Sequence, residues 1–309
     1  QLEAGGVNFV LNCNIGVDIS FSDLRAKHDA VIIATGVYKS RELRAVGANS
    51  NGILRAIDFL TASNRKSFGD AVPEFDSGEM NAEGKRVVVI GGGAVGASCL
   101  YHLTRAGIAD CLLIEKDELT SGSSWHAAGG IHTISSDPNI SRLQSYTINL
   151  YKEIEELSGQ SVGLHQTGGF YAASTKEWYD YLKGERSKAR YMGLDQEFIS
   201  PKELAERHPL IDPDHYPAVL WDAQDGHLDP SGTTYAFAKA ARGHGAQYFT
   251  HCGATTMTQR LDGSWDIVTP KGSINAEHVV NCGGLWAREV GHMAGIHLPV
   301  QPMEHHYLI

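Results

Sequence analysis

The stretch from Arg86 to Gly96 reads RVVVIGGGAVG, and it decides the fold. Val87, Val88, Val89 and Ile90 form an unbroken apolar, β-branched run, the mark of a strand buried on both faces of a parallel sheet. Gly91, Gly93 and Gly96 follow at G-x-G-x-x-G spacing, a helical pattern runs through Ala106, and a second apolar strand, CLLIEK, occupies 111–116. Strand, glycine turn, helix and strand within about 30 residues make the dinucleotide-binding unit. Gly91 allows the tight turn, Gly93 lets the backbone approach a pyrophosphate, and Gly96 lets the helix pack closely on the strand. The helix N-terminus presents free N–H groups and the positive end of its dipole to phosphate. Glu115 stands at the end of the second strand. A carboxylate there accepts hydrogen bonds from adenosine ribose hydroxyls and repels a 2′-phosphate, which favours FAD or NAD over NADP.

Downstream, helical patterns at Ser141–Leu157, Lys176–Met192, Pro201–Arg207 and Ser231–Ala241 alternate with strand-like runs at Gly169–Ala173 and Val219–Trp221. Thr255–Gln259, Ser264–Thr269 and Ser273–Asn275 read as a meander whose first turn carries Asp262-Gly263. His278–Asn281 reads as a buried strand ending at Cys282-Gly283-Gly284, with a helix starting at Trp286. Upstream, Val7–Leu11 and Ala30–Thr35 read as strands, Asp23–His28 as a helical turn and Ala56–Arg65 as a helix. Lys66–Gly84 interleaves Asp70, Glu74, Asp76, Glu79 and Glu83 with glycine and Pro73, the composition of an exposed acidic connector. A domain boundary is placed near Gly84, giving segments 1–84 and 85–309.

The 309 residues are 42% hydrophobic and 20% charged, a globular composition. Glycine is in excess at 34 residues, against roughly 7% in average usage, and this suggests tight turns and close backbone approaches. The net charge of −10 argues against a nucleic-acid partner, which needs a basic face. No uncharged apolar run is long enough to span a membrane. Five cysteines, odd in number and without a C-x-x-C pair, suggest neither a disulfide framework nor a zinc site, and no metal is expected. Reduced thiols favour a cytoplasmic location. A chain that starts at Gln1 reads as a fragment or a processed product.

The segment SSWHAAGGIH from Ser123 adds to the glycine turn and Glu115, as do DGHLDP at 225–230, VVNCGGLWAREVG at 279–291 and EHHY at 304–307. Together these closely resemble the dimethylglycine and sarcosine dehydrogenases, members of the D-amino-acid-oxidase-like class of FAD enzymes, over about residues 86–309. The resemblance implies an FAD-binding, Rossmann-like α/β parallel sheet with an inserted α+β substrate-binding region. It implies FAD bound covalently through His126, contacts from Ser123, Ser124, Gly283 and Gly284, and His305 beside flavin and substrate. It further implies oxidation of an N-methyl group on a small amino acid, with electrons passed to an electron-transfer flavoprotein or similar acceptor. The chemistry is coherent. A neutral imidazole is nucleophilic enough to attack the activated flavin methyl, and a histidine titrating near neutrality can hold the amine proton.

Residues 1–93 resemble a second family, the small subunit of glutamate synthase, through AVIIATGVYKSREL at 30–43, GILRAIDFLTASNRK at 52–66 and EGKRVVVIGGG at 83–93. That resemblance implies a partial second dinucleotide-binding domain whose Ala34-Thr35-Gly36 turn touches an FAD, followed by an NADPH site at Gly91. The sequence departs from it after GGG and follows the dehydrogenases. One glycine fingerprint serves two late glycine-ended strands, at Gly36 and Gly283, so the two families join at VVVIGGG. The leading expectation is an FAD-dependent amine dehydrogenase, or its truncated front, with further FAD and substrate contacts falling after Ile309. The alternatives are an NADPH-linked reductase module and a catalytically incomplete nucleotide-binding fusion.

Overall fold

The computed structural model describes residue 10, residues 13–28 and residues 56–306 apart from 68, 79, 83 and 136. The chain divides into two compact units, Gln1–Glu42 and Leu43–Ile309. In the first, helix α1 (Phe21–Lys27) starts at Ser20, whose hydroxyl accepts from the Asp23 N–H at 3.1 Å. The strand expected at 7–11 (Val10 apart), the strand at 30–35 and the Ala34-Thr35-Gly36 turn lie outside the described residues.

The second unit opens with α2 (Ala56–Ser67) and the short α3 (Pro73–Asp76). Among the described residues of 66–84, Asp70, Glu74 and Asp76 are exposed, Lys66 pairs with Asp76, and Val72 is only 2% exposed. Strand β1 (Val87–Ile90), helix α4 (Ala94–Arg105) and strand β2 (Cys111–Ile114) then follow as the glycine pattern predicts. After them come β3 (Gly130–Ile131), α5 (Pro138–Ser158), β4 (Gly169–Ala173), α6 (Lys176–Tyr191), β5 (Gln196–Ile199), α7 (Pro201–Arg207), β6 (Ala218–Asp222) and β7 (Gly226–His227). The chain continues through α8 (Pro230–Gly243), β8 (Gln247–Phe249), β9 (Thr256–Gln259), β10 (Trp265–Thr269), β11 (Gly272–Ala276), β12 (His278–Asn281) and α9 (Ala287–Met293).

Four strands form a parallel sheet in the order β12-β1-β2-β8. All of β1 is buried, because its alternate side chains serve two different layers. Val87 and Val89 pack with Leu100 and Tyr101 of α4 and with Phe237 of α8. Val88 and Ile90 face Met257, Ile267 and Ala276 of the antiparallel meander β9-β10-β11. Helices therefore cover one face and a small sheet the other. Alanines 236, 238, 240 and 241 are all buried on α8, and their small side chains suit the close packing of α8 on α4 and α5. Strand β12 is half-buried, with Asn281 exposed, rather than fully buried as its sequence suggests. The reason is topological, since β12 is an edge of the sheet and its far side has no strand neighbour among the described residues.

A second sheet, β4-β6-β5, makes the inserted region. One face packs Ala173, Ala218 and Leu220 against Leu182 of α6, and the other packs Val219 and Ile199 against Leu204 of α7. Helix α7 begins with a reciprocal capping box between Ser200 and Glu203, which satisfies two N-terminal N–H groups. Within α6, Gly184 has nothing within 4 Å of the place a Cβ would occupy. Gly184→Ala is expected to stabilise the chain by about 0.5–1 kcal/mol, because it removes only backbone freedom. A thermal melt should rise by about 2 °C, and a fall would mean that the helix does not hold there.

Candidate functional site

A cavity of about 340 Å³ opens at the C-terminal ends of β1, β2 and β12, the place where parallel α/β sheets bind ligands. Gly91 lies at φ +118°, a conformation open to glycine, and its N–H donates to the Ile114 carbonyl at 3.0 Å. A Cβ on Gly91 would stand 2.2 Å from the Cys282 carbonyl oxygen, and one on Gly96 would stand 1.8 Å from the Gly91 carbonyl oxygen. Both positions therefore require glycine on steric grounds. Gly93 is the N-cap of α4 and supplies no capping side chain, so first-turn N–H groups that no helix satisfies internally are left for a ligand. One of them is used: the Ala94 N–H donates to the Ser124 hydroxyl at 2.9 Å.

Glu115 closes the other side of the turn. One carboxylate oxygen accepts from the Gly92 N–H at 2.6 Å and the other from the Asp117 N–H at 2.9 Å. Each oxygen keeps a further lone pair for a hydroxyl donor. The third wall is Cys282-Gly283-Gly284, where the Cys282 N–H donates to the Ile90 carbonyl at 2.8 Å and thereby ties β12 to β1. Sequence reasoning assigned no role to Lys116 and treated Trp286 only as a helix start. The Lys116 ammonium sits 3.7 Å from the centre of the Trp286 ring, and both residues line the cavity. The signal available in the sequence was only the adjacency of Lys116 to Glu115.

Of the residues singled out from the sequence, Gly91, Gly93, Glu115, Ser123, Ser124, Gly283 and Gly284 line this one cavity, and Gly96 packs directly behind it. His126 belongs to the same loop as Ser124 but is exposed and stands outside the lining. Its ring packs on Trp125 with centroids 3.8 Å apart, and its Nδ1 lies 3.2 Å from the Gly122 carbonyl oxygen. That contact assigns the proton to Nδ1 and leaves the Nε2 lone pair free in the neutral ring. His305 is exposed, lies in a segment without regular structure, and is not among the residues that line the cavity.

A second polar cluster was not legible in the sequence. Asp222 and Asp225 are 1% and 4% exposed, and Thr133 is fully buried between them. The Thr133 N–H donates to Asp225 at 2.9 Å, its hydroxyl bonds Asp222, and the Tyr171 hydroxyl donates to Asp225 at 2.8 Å. The Gln196 amide nitrogen donates to Asp222 at 2.6 Å. Burial, reinforced by the nearby Asp222 charge, pushes the Asp225 carboxyl up to about 6. Thr133 follows His126 by seven residues, so this cluster anchors the loop at its far end while Ser124 anchors it at the near end.

Comparison with known proteins places the geometry in a family. Residues 86–309 match the family model described as FAD dependent oxidoreductase. The mitochondrial dimethylglycine dehydrogenase of Rattus norvegicus is 41% identical over 222 residues, covering 72% of this chain and 26% of that protein. A glutamate synthase NADPH small chain of Cereibacter sphaeroides is 56% identical over 107 residues, covering 35% of this chain and 25% of that one. The crystal structure of L-proline dehydrogenase from P. horikoshii superposes with a TM-score of 0.63 at 30% identity, over 68% of this chain and 55% of that one. The chain thus spans about a quarter of the length of the curated relatives it matches. The glycine turn, Glu115 and the Cys282–Gly284 wall all fall within the matched residues, and this chain belongs to the FAD dependent oxidoreductase family.

Proposed function

We propose that this chain carries the flavin-binding part of an amine dehydrogenase that oxidises a small N-methyl amino acid of the dimethylglycine or sarcosine kind, with FAD held covalently through His126. One observation carries the reading: a cavity at the strand ends walled by main chain where only glycine fits, with a helix N-terminus on one side and a carboxylate on the other. These residues fit FAD. The α4 N-terminus receives the diphosphate, Glu115 accepts from the ribose hydroxyls, and Gly283 and Gly284 admit the cofactor close to the backbone. The rat relative's name supplies the substrate class.

Bound FAD supplies the hydride acceptor for a C–H bond next to the amine nitrogen. The protein's part is placement and proton control. Ser124 holds the loop against the pyrophosphate turn, Ser123 beside it lines the cavity, and the His126 Nε2, on the side of the ring away from the Gly122 carbonyl, would be the atom that bonds the flavin methyl. His305 takes the proton that keeps the substrate amine neutral. An electron-transfer flavoprotein or similar acceptor removes the electrons. Among the described residues no helix is long and apolar enough to cross a membrane.

The Cereibacter likeness favours a second reading for part of the chain, in which residues 1–84 derive from an NADPH-linked glutamate-synthase-like reductase and join a dehydrogenase segment, 85–309. Glu115 at the ribose position counts against a 2′-phosphate in the cavity. Intact mass under denaturing acid tests the main reading, with one added FAD expected on the peptide that contains His126. His126→Ala should lose the covalent adduct and keep reversible binding. Glu115→Arg should weaken that binding by about 10- to 100-fold, the effect of a lost charge-assisted hydrogen bond. An unmodified wild-type mass would remove the covalent link, and an unmodified chain that also fails to bind FAD would overturn the cofactor assignment.

A further inference from the structure

We propose that Cys99 and Cys282 form a redox modification site, a dithiol behind the glycine turn that closes to a disulfide under hydrogen peroxide and in closing weakens the hold of the cavity on FAD. The second half rests on the cofactor reading above; the first does not. Cys99 follows Gly96 by three residues on α4 and so shares its face. On that face, a Cβ at Gly96 would stand 3.3 Å from the Cys282 Cβ. The two side chains pack against the same core, and each thiol shifts the titration of the other. A disulfide needs Cβ atoms about 3.5–4.5 Å apart, and the α4 face that carries Cys99 already comes within that reach of the Cys282 Cβ at Gly96.

The other cysteines are poorer candidates. Cys111 is buried and its thiol is pushed up to about 11, chiefly by burial. Cys252 is buried, and Cys13 belongs to the first unit. Cys282 lines the cavity, which gives peroxide a route to the pair. Interaction between the two thiols holds Cys99 below the ordinary thiol range and raises Cys282, a difference that burial of Cys282 increases. Cys99 is therefore the attacking sulfur. Its thiolate displaces hydroxide from one peroxide oxygen, forming an S–O bond as the O–O bond breaks, and the hydroxide takes up a proton to become water. The Cys282 sulfur, losing its proton, then attacks Cys99, and the S–S bond forms as the S–O bond breaks and a second water leaves. Two thiols are oxidised by two electrons and one peroxide is reduced to two waters.

The cavity feels this closure because the Cys282 main chain is fixed to the turn on both sides. Its N–H bonds Ile90, and its carbonyl oxygen fills the space where a Gly91 Cβ would lie. Drawing the Cys282 side chain towards α4 shifts Gly283 and Gly284, which form the adjoining wall.

The test uses the full chain carrying His126→Ala, so that FAD binding can be titrated. After peroxide, the expected result is a loss of about 2 Da, a non-reducing peptide map linking Cys99 to Cys282, and an FAD affinity about tenfold weaker that dithiothreitol restores. Cys99→Ser and Cys99→Ala should each abolish both the link and the loss of affinity, and two variants guard against one that fails to fold. Peroxide that leaves the pair unlinked, or a link that leaves FAD affinity unchanged, overturns the proposal. Failure of the cofactor reading is separately visible, as a reduced chain that binds no FAD while the mass and the map still report on the thiols.

Discussion

Alanine at Gly96 is expected to destabilise the chain by about 3 kcal/mol and to strip it of FAD. The added Cβ would lie 1.8 Å from the Gly91 carbonyl oxygen, 3.0 Å from the Gly91 carbonyl carbon and 3.3 Å from the Cys282 Cβ. The nearest of these are main chain, so no rotamer change relieves the clash. The first turn of α4 must lift off the end of β1, which separates the N–H groups of the helix from the turn that faces the cavity. Overpacking of this kind sits at the upper end of the usual 1–3 kcal/mol, and for a chain of this size the melt should fall by about 6–12 °C. Gly107→Ala is the control. Gly107 has φ +87° and nothing within 4 Å, so alanine there meets only the left-handed penalty of about 1–2 kcal/mol and should keep its flavin. Flavin content after gel filtration, read beside the melt, separates the two effects. Gly96→Ala with unchanged melt and flavin would mean that helix and turn do not pack tightly, and the pyrophosphate assignment would go with it.

The clarity of that prediction reflects how the turn is encoded. Val87 to Gly96 announces itself because burial on two faces demands a continuous apolar run, and close approach demands glycine at fixed spacing. Both demands are local and leave a local trace. Strand β8 leaves none, since Gln247–Phe249 is three residues of mixed exposure and exists by pairing with Leu112–Ile114. The two-residue strands β3 and β7 are set by each other across about a hundred residues of chain. The sequence of His278–Asn281 implies more burial than the strand has, because an apolar strand looks the same at the edge of a sheet as in its centre. The site divides in the same way. The glycines and Glu115 were legible from spacing, whereas the Lys116–Trp286 contact and the Asp222–Asp225 cluster need side chains that only the fold brings together. The histidines 126 and 305 came from family resemblance, and no spacing argument pointed to them.

Asp225→Asn is expected to reverse part of the chain's pH dependence. The carboxyl is held at about 6 in the folded chain against 3.8 when free, because it is buried and faces Asp222. A group whose folded value is raised binds its proton more tightly in the native state. Its stabilising contribution is complete below about pH 4 and is lost as pH rises to 6, after which folding carries a penalty of about 3 kcal/mol. Asparagine is neutral at every pH, can accept the Thr133 N–H through its oxygen, and can donate to the Tyr171 hydroxyl through its nitrogen. Relative to wild type, the variant should therefore gain about 3 kcal/mol between pH 4 and pH 7.5. The difference between the two proteins is the quantity to measure. Glu277 runs the other way, since bonding from Arg86 holds it down at about 2 and its contribution is lost on acidification, and it cancels in the subtraction. His132 also acts on Asp225, in the lowering direction, and repeating the series with His132→Gln separates that effect from the buried pair. Denaturant melts at each pH supply the free energies. A difference that stays flat from pH 4 to 7.5 would mean that Asp225 is ionised throughout, in which case two adjacent buried carboxylates are both charged and something other than a proton must balance them. The gain should come without loss of flavin, because the substitution keeps Thr133 in place and with it the far anchor of the loop that carries His126.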